Sequence, residues 1–480
     1  MLDSTKGCRD YMVALTFRFD DVLSAEGLRD SLEKLLAIGD WKKLGGRLQI
    51  NKTGRLELHV PEHFTPDRPA ITFSHEDLFS NTSIKTHPIA RKLPEATNEP
   101  SIQAIDTELQ SLATRADVPT TLEEMIERNA PQLSLHITSF SDATLVGLAW
   151  SHTLMDAIGL EQLLRSWSLV IAGREADVPP VLGAGADVMW EIAGDADAFG
   201  VAENEALQSH VLLGWNKIKF LLRYAWDAFW TGQAQRRQIC LPKTALAQLR
   251  QAVEEESAKS SGIDEKAFVS DSDILTAWLA RLIAKSEVRA RPLTIASAVN
   301  ARFRLAKRLD PTPGVYIQNM VFVAFTFMSP EAARGPLRPI AEAHRSHLAA
   351  QSTEEHMLGF LQHLRRQRDV GQDVVAPLYG RPDSIAVTVN NLTKVNMMKA
   401  ADFAPGVVQQ GEERSTRSSA IGAMTYYHLQ PLKNRIWMRN HFVVLGKDHN
   451  ENCWIVGTLT PGVWAVAQNE IETMHIKHSL

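Results

Sequence analysis

The hydrophobic and polar positions of this chain alternate between two periods. Tyr11 to Phe19 is rich in β-branched and aromatic residues and predicts a strand. Ala25 to Ile38 then places Leu28, Leu32, Leu35 and Leu36 on one helical face, and Arg55 to Val60 returns to alternation. Two more strands are predicted at Leu133 to Phe140 and Ala143 to Trp150, turning at Ser141-Asp142. Beyond Asp156 the apolar positions Ile158, Leu160, Leu163, Leu164, Trp167 and Val170 fall at helical spacing, with Gly173 as a stop. A stretch rich in Ala, Gly, Asp and Pro runs to about Gly200 and reads as a crossover between domains. The second half repeats this style. A helix capped by Ser270 or Ser272 runs to Ser286, followed by strands at Leu293 to Val299, Val321 to Phe327, Ser384 to Val389, Trp437 to Leu445 and Trp454 to Leu459. Strands alternating with helices are α/β grammar.

One helix breaks the pattern. Leu212 to Trp230 is aromatic and apolar around most of its circumference, interrupted only by Lys217, Lys219, Arg223 and Asp227. It could lie on a membrane surface. The breadth of its apolar face predicts instead a lid or an inter-domain packing element.

Composition narrows the function classes. The 480 residues, 44% hydrophobic and 22% charged, can bury large cores and suggest two domains or more. A formal net charge of -5 removes the driving force for dedicated phosphate binding, so no nucleic-acid partner is expected. Three separated cysteines (Cys8, Cys240, Cys453) offer neither a disulfide framework nor a CxxC site, which suits a reducing compartment. The charged amino terminus lacks a signal-peptide core, and no apolar run is long enough to span a bilayer. The expectation is a cytoplasmic protein, monomeric and without an integral membrane segment.

The sharpest candidate for chemistry is Trp150-Ser-His152-Thr-Leu-Met-Asp156-Ala-Ile-Gly159, at a strand-to-helix junction. A rigidly held neutral imidazole, with an ordinary pKa near about 6.5, can accept a proton from a hydroxyl. The spacing alone decides nothing, because His63-Phe-Thr-Pro-Asp67 shares it within a Pro-rich loop. Context separates the two: converging strands precede His152, and Asp156 can cap the following helix or pair with an arginine. A serine nucleophile is disfavoured, since no GxSxG elbow is present and Ser151 points away from His152 in an extended segment. His475-Ile-Lys-His478 reads as an exposed tail, and no metal is expected.

These residues resemble the HxxxD motif of the BAHD acyltransferases, in particular the fungal secondary-metabolism branch. Related folds include chloramphenicol acetyltransferase and the condensation domains of peptide synthetases. The family glycine after the aspartate is Ala157 here, which a helix tolerates. Further similarity lies in Leu28-Arg-Asp-Ser-Leu-Glu-Lys-Leu-Leu, Leu44-Gly-Gly-Arg-Leu and Gly54-Arg-Leu-Glu-Leu-His-Val, and in Asn300-Ala-Arg302-Phe-Arg304-Leu followed by Pro313-Gly-Val-Tyr316-Ile-Gln-Asn319. Asp402-Phe403-Ala-Pro-Gly406 stands where the family has DFGWG, with its tryptophan lost.

The resemblance implies two chloramphenicol-acetyltransferase-like α/β domains, each a mixed sheet flanked by helices, with the active-site channel between them. Residues 1-175 would carry the motif, 176-235 the crossover and aromatic helix, and 236-480 the second domain. His152 would be the general base, with Asp156 shaping the site. Asp402 would pair with Arg302, or failing that Arg304, far from the base. Asn391 and Thr393, in the Val389-Asn-Asn-Leu-Thr-Lys strip, would face the oxyanion, where one aimed donor contributes about 2.7–4 kcal/mol. Lys243 and Arg250, in LPKTALAQLR, would meet the phosphates of acyl-CoA, a co-substrate rather than a bound cofactor. Donor and acceptor would enter from opposite ends, the acceptor being a small-molecule secondary metabolite, acylated at a hydroxyl before an amine. Two rivals remain: a carrier-protein-dependent condensation enzyme, for which Ser151 stands where a second histidine is typical, and a non-acylating homologue that uses the cavity for binding or another reaction.

Overall fold

The computed structural model describes residues 9–194, 205–259, 268–369, 378–411, 417, 419–433 and 438–478. Two mixed sheets dominate. The first has five strands in the order Met424–Pro431, Met12–Phe19, Thr144–Ser151, Leu133–Ser139 and Ile71–Asp77. The second has seven, in the order Val321–Met328, Leu293–Asn300, Ile385–Asn391, His441–Lys447, Cys453–Leu459, Gln235–Leu241 and Ser101–Ala104. Leu293–Asn300 pairs in parallel with Ile385–Asn391 across a connection that includes helices, and Ile385–Asn391 pairs in parallel with His441–Lys447; hairpins such as Leu133–Ser139 with Thr144–Ser151 are antiparallel.

Sheet membership does not follow the two halves of the sequence. Strand Met424–Pro431 of the second half completes the first sheet beside Met12–Phe19, and Ser101–Ala104 of the first half edges the second sheet beside Gln235–Leu241. This exchange ties the layers together through continuous backbone ladders, which a packed interface alone would not do. Met12–Phe19 is central in its sheet and buried at every residue because both its faces are covered, Val13, Leu15, Phe17 and Phe19 packing into one apolar cluster and Met12 and Ala14 into another.

The helices follow local chemistry. Ser24 caps Ala25–Leu36 through the Gly27 amide, and that helix buries Leu28, Leu32, Leu35 and Leu36 against the first sheet. Ser270 and Asp273 form a capping box that starts Asp271–Ser286, a helix buried along nearly its whole length in the second core. Gly173, at φ +70°, ends the helix that follows His152. The expected crossover contains a short helix, Val188–Ile192, which packs with Glu354–Asp369 into a third apolar cluster. Of the expected strand Trp437 to Leu445, residue 437 lies outside the described residues, and the strand observed is His441–Lys447.

The aromatic helix corrects an expectation. It spans Gly214–Trp230, and Phe220 is its one buried residue. It is not a buried inter-domain filler: most of its aromatic side chains face solvent, Ala228 and Phe229 at its end line a cavity, and polar contacts tie it to the protein. Asp227 meets Arg291 at 2.7 Å, and Arg439 lies over the Tyr224 ring at 5.9 Å.

Candidate active site

His152 sits where the central strand Thr144–Ser151 gives way to the helix Ala157–Ile171. Its backbone is held from two sides. The His152 amide donates to the Tyr11 carbonyl at 2.8 Å, and Asn319 Nδ2 donates to the His152 carbonyl at 2.6 Å. The Tyr11 ring lies 5.5 Å from the imidazole, centroid to centroid. Tyr11 continues the first sheet and Asn319 belongs to the second half, so both halves of the chain fix the position of this histidine.

Asp156 explains how they meet. It is buried and caps Ala157–Ile171, Oδ1 accepting from the Gly159 amide at 2.9 Å. Arg302 forks onto both oxygens, Nη1 to Oδ2 at 2.7 Å and Nη2 to Oδ1 at 3.1 Å, and the Met320 amide adds a fourth donor at 2.9 Å. The same guanidinium donates to the carbonyls of Tyr316 and Gln318. Gly159 permits this closeness, because a Cβ there would lie 2.1 Å from the Ile317 carbonyl oxygen. A carboxylate so fully engaged is architecture and has no capacity left for substrate.

This corrects the expected Arg302–Asp402 pairing. Asp402 is exposed, its amide bonded to Ser168 Oγ and its carboxylate accepting from the Ala404 amide. Arg304 does not reach it either, donating instead to the Asn300 carbonyl. The block docks through its neighbour Phe403, which is fully buried, stacks on Phe19 at 5.1 Å and meets Trp167 edge-on at 4.9 Å. The aspartate–arginine tie of this corner is Asp21 with Arg417, at 2.6 Å. Chain spacing could not tell which aspartate would reach Arg302.

A cavity of about 440 Å³ opens beside His152. Its wall is largely apolar, with Met189, Val299, Phe322, Met357, Phe360 and Leu361 on one side. The polar groups facing it are few: His152, Asn300, Asn319, Asn390, Asn391 and His441 stand out. Volume and lining suit an apolar small molecule oriented by a handful of polar contacts.

The expected oxyanion donors are only partly assembled. Asn391 lines the cavity, but Nδ2 donates to Ser272 Oγ at 2.9 Å and Oδ1 accepts from the Thr393 amide at 3.0 Å. Thr393 is not among the lining residues, although its hydroxyl is buried without a partner among the described residues. Lys243 and Arg250 lie on the helix Lys243–Lys259 and do not line the cavity. Arg250 pairs with Asp271, beside the Ser272 that holds Asn391, and Lys447 approaches the same carboxylate at 3.9 Å. An ion-paired cluster of Arg250, Lys447, Asp271 and Glu451 therefore flanks the Asn391 end of the cavity. Asn319, placed by sequence only in a turn block, has a role missed there: it holds the base. Among the described residues, no group of three or more His, Cys, Asp and Glu could hold a metal ion. The side chains of His475 and His478 lie outside the described residues.

A second cavity, about 1120 Å³, lies toward the other end of the sheet, with Phe229, Gln235, Arg236, Arg237, Gln430 and Arg439 among its lining residues. It adjoins the first: Leu429 and His441 face one, and their near neighbours Gln430 and Arg439 face the other.

Several buried histidines, His441 of the cavity wall among them, are held neutral. Burial pushes His441 down to about 4 and His428 to about 3, the Arg236 charge adding to both; burial, His75 and Arg115 push His136 to about 4. In the unfolded chain they return to an ordinary value near about 6.5 and bind protons that the folded state refuses. Their contribution to stability is therefore whole above about pH 6.5 and is lost as pH falls toward 4, on the order of 2–3 kcal/mol per histidine. Urea unfolding should accordingly give a markedly lower free energy at pH 4.5 than at pH 7.5, and equal values would contradict the burial of these rings.

Comparison with known proteins places this geometry. A profile of the Transferase family matches residues 107–406. The O-acetyltransferase PaAT-2 of Phomopsis amygdali is 33% identical over 98% of this chain and 96% of its own length. Acetyltransferase BOT5 of Botryotinia fuckeliana is 34% identical over 98% of this chain and 89% of its own. In structure, TRI101 of F. sporotrichioides, crystallised with coenzyme A and T-2, superposes with a TM-score of 0.62 over 95% of this chain and 93% of that one, at 13% identity. That likeness establishes a shared fold.

Proposed function

This chain belongs to the Transferase family, the BAHD-type acyltransferases, and from that premise we propose that it moves an acyl group, acetyl first among candidates, from acyl-CoA to a hydroxyl of an apolar secondary metabolite. The observation that carries this reading is the placement of His152: it lines the apolar cavity while its backbone is fixed from both halves of the chain.

The proposed chemistry is direct transfer. The His152 imidazole takes the proton of the acceptor hydroxyl as its oxygen attacks the thioester carbonyl. A tetrahedral intermediate forms, its C–S bond breaks, and the proton held by His152 passes to the departing thiolate, giving an ester and free CoA. Asn391 and the Thr393 hydroxyl remain the candidate oxyanion donors; serving would require Asn391 to turn from Ser272. A covalent serine intermediate has little support, since Ser151 is buried and its hydroxyl is engaged with Thr153 Oγ1 at 2.7 Å. Arg250 and Lys447 near the Asn391 end, with Lys243 at the start of the Arg250 helix, are the candidate partners for the phosphates of CoA, which leaves the opposite end for the acceptor. The proposed division has residues 1-175 carrying the base, 176-235 crossing over, and 236-480 supplying the Asn391 wall and the Arg302 that anchors Asp156.

The test is to incubate the protein with a panel of acyl-CoAs and apolar alcohols and amines, and to follow products by mass spectrometry. The expected result is an acceptor heavier by one acyl group, with one free CoA released per product. Transfer from carrier-protein thioesters alone would overturn the CoA assignment in favour of a condensation-type enzyme.

A further inference from the structure

The helix Gly214–Trp230 has its amphipathicity turned inside out. Trp215, Leu222, Trp226 and Phe229 are 64%, 63%, 58% and 78% exposed, and they recur at spacings of seven, four and three residues, so they form one outward stripe. Trp230 and Ile218 widen it, and Leu213 extends it beyond the helix start. The opposite face, against the protein, carries Phe220, Tyr224 and Asp227, with Asp227 bonded to Arg291 and Arg223. A run of exposed large apolar side chains of this kind marks an interaction surface.

Charge and composition choose the partner. Lys219 and Arg223 flank the stripe, while the helix's single acid, Asp227, is turned inward and neutralised. The stripe's surroundings are thus cationic on a chain whose formal net charge is -5. Tryptophan and phenylalanine with adjacent lysine and arginine match the boundary between acyl chains and phospholipid headgroups. Among the described residues no helix is long and apolar enough to cross a membrane, so the contact would be with a surface.

We propose that the outward stripe of Gly214–Trp230 docks the protein onto the surface of an anionic phospholipid bilayer, Trp215, Leu222, Trp226 and Phe229 entering the interface with Lys219 and Arg223 at headgroup level. Phe229 and Ala228 also line the larger cavity, so docking brings its rim to the lipid. On the reading that the acceptor is apolar, that arrangement gives the acceptor a route from the bilayer into the protein; the docking itself does not depend on that reading.

The test is flotation of the full chain with vesicles of phosphatidylcholine alone and of phosphatidylcholine containing phosphatidylserine. The expected result is binding to the phosphatidylserine vesicles that weakens with salt, accompanied by a blue shift of tryptophan emission. Trp226→Glu with Phe229→Glu should lower the bound fraction about tenfold or more, and Lys219→Glu with Arg223→Glu likewise. Circular dichroism and the thermal midpoint check that the variants fold, and Phe229→Ser alone serves if the double variant does not. Absence of wild-type binding to either vesicle would overturn the proposal. So would wild-type-like binding by the stripe variants, or a solution dimer that those substitutions dissociate, since a second copy would then cover the face. No acyl transfer enters the readout, so failure here and failure of the catalytic reading are separate results.

Discussion

Replacing Arg302 with methionine is expected to cost about 3–5 kcal/mol of folding stability, because it breaks a buried ion pair by removing one partner. Asp156 would keep the Gly159 and Met320 amides but lose its countercharge, and the Tyr316 and Gln318 carbonyls would lose their donor. Activity should fall as well, although Arg302 is not among the residues facing the cavity. The Ile317–Met320 segment would be freed, and with it Asn319, which holds the His152 carbonyl. A displacement of about 1 Å at a catalytic group can cost roughly a hundredfold in rate. Asp156→Asn retains a capping oxygen but strands the Arg302 charge, so its cost should be of similar size. Combined with Arg302→Met it should cost less than the sum, the coupling falling at about 0.5–3 kcal/mol. Urea unfolding of the wild type, both single variants and the double variant checks this; strict additivity would mean that the pair is not the link between the halves.

Much of the fold was legible because it is written locally. Period-two runs such as Tyr11 to Phe19 and Leu133 to Phe140, and the helical spacing after Asp156, correspond to observed elements with small shifts at their ends. Non-local pairing was not legible. Nothing in Met424–Pro431 signals that it joins the sheet of the first half, since strand patterning encodes a buried face and not a partner. The same limit applies to Asp402: two aspartates lie within reach of Arg302 on paper, and only the turn through Tyr316 to Asn319 determines that Asp156 receives it. The aromatic helix departs from expectation for another reason. Apolar content predicts burial, but ion pairing and a cation–π contact set its orientation, turning the tryptophans outward. At the site, His152 and Asp156 could be singled out from motif and context. Asn319 could not, because its contribution is a single hydrogen bond to a main-chain carbonyl.

The second large effect concerns the base itself. His152→Ala removes the imidazole while leaving both main-chain bonds that position the residue, from its amide to Tyr11 and from Asn319 to its carbonyl. The fold should therefore persist, with loss of the Tyr11 ring contact as the main packing change. Without a group to take the acceptor proton, the rate of transfer should drop by about 10²–10⁴. Binding should suffer far less, since the apolar wall from Met189 to Leu361 is untouched. The loss should thus appear in kcat rather than in KM.

The most direct measurement is the rate of acyl transfer by His152→Ala relative to wild type, using the acyl-CoA and acceptor that give product with the wild-type protein, on variant protein whose unfolding midpoint matches the wild type. A fall of about a hundredfold or more in kcat is the predicted result. Transfer at the wild-type rate by a correctly folded variant would contradict the assignment of His152 as the general base.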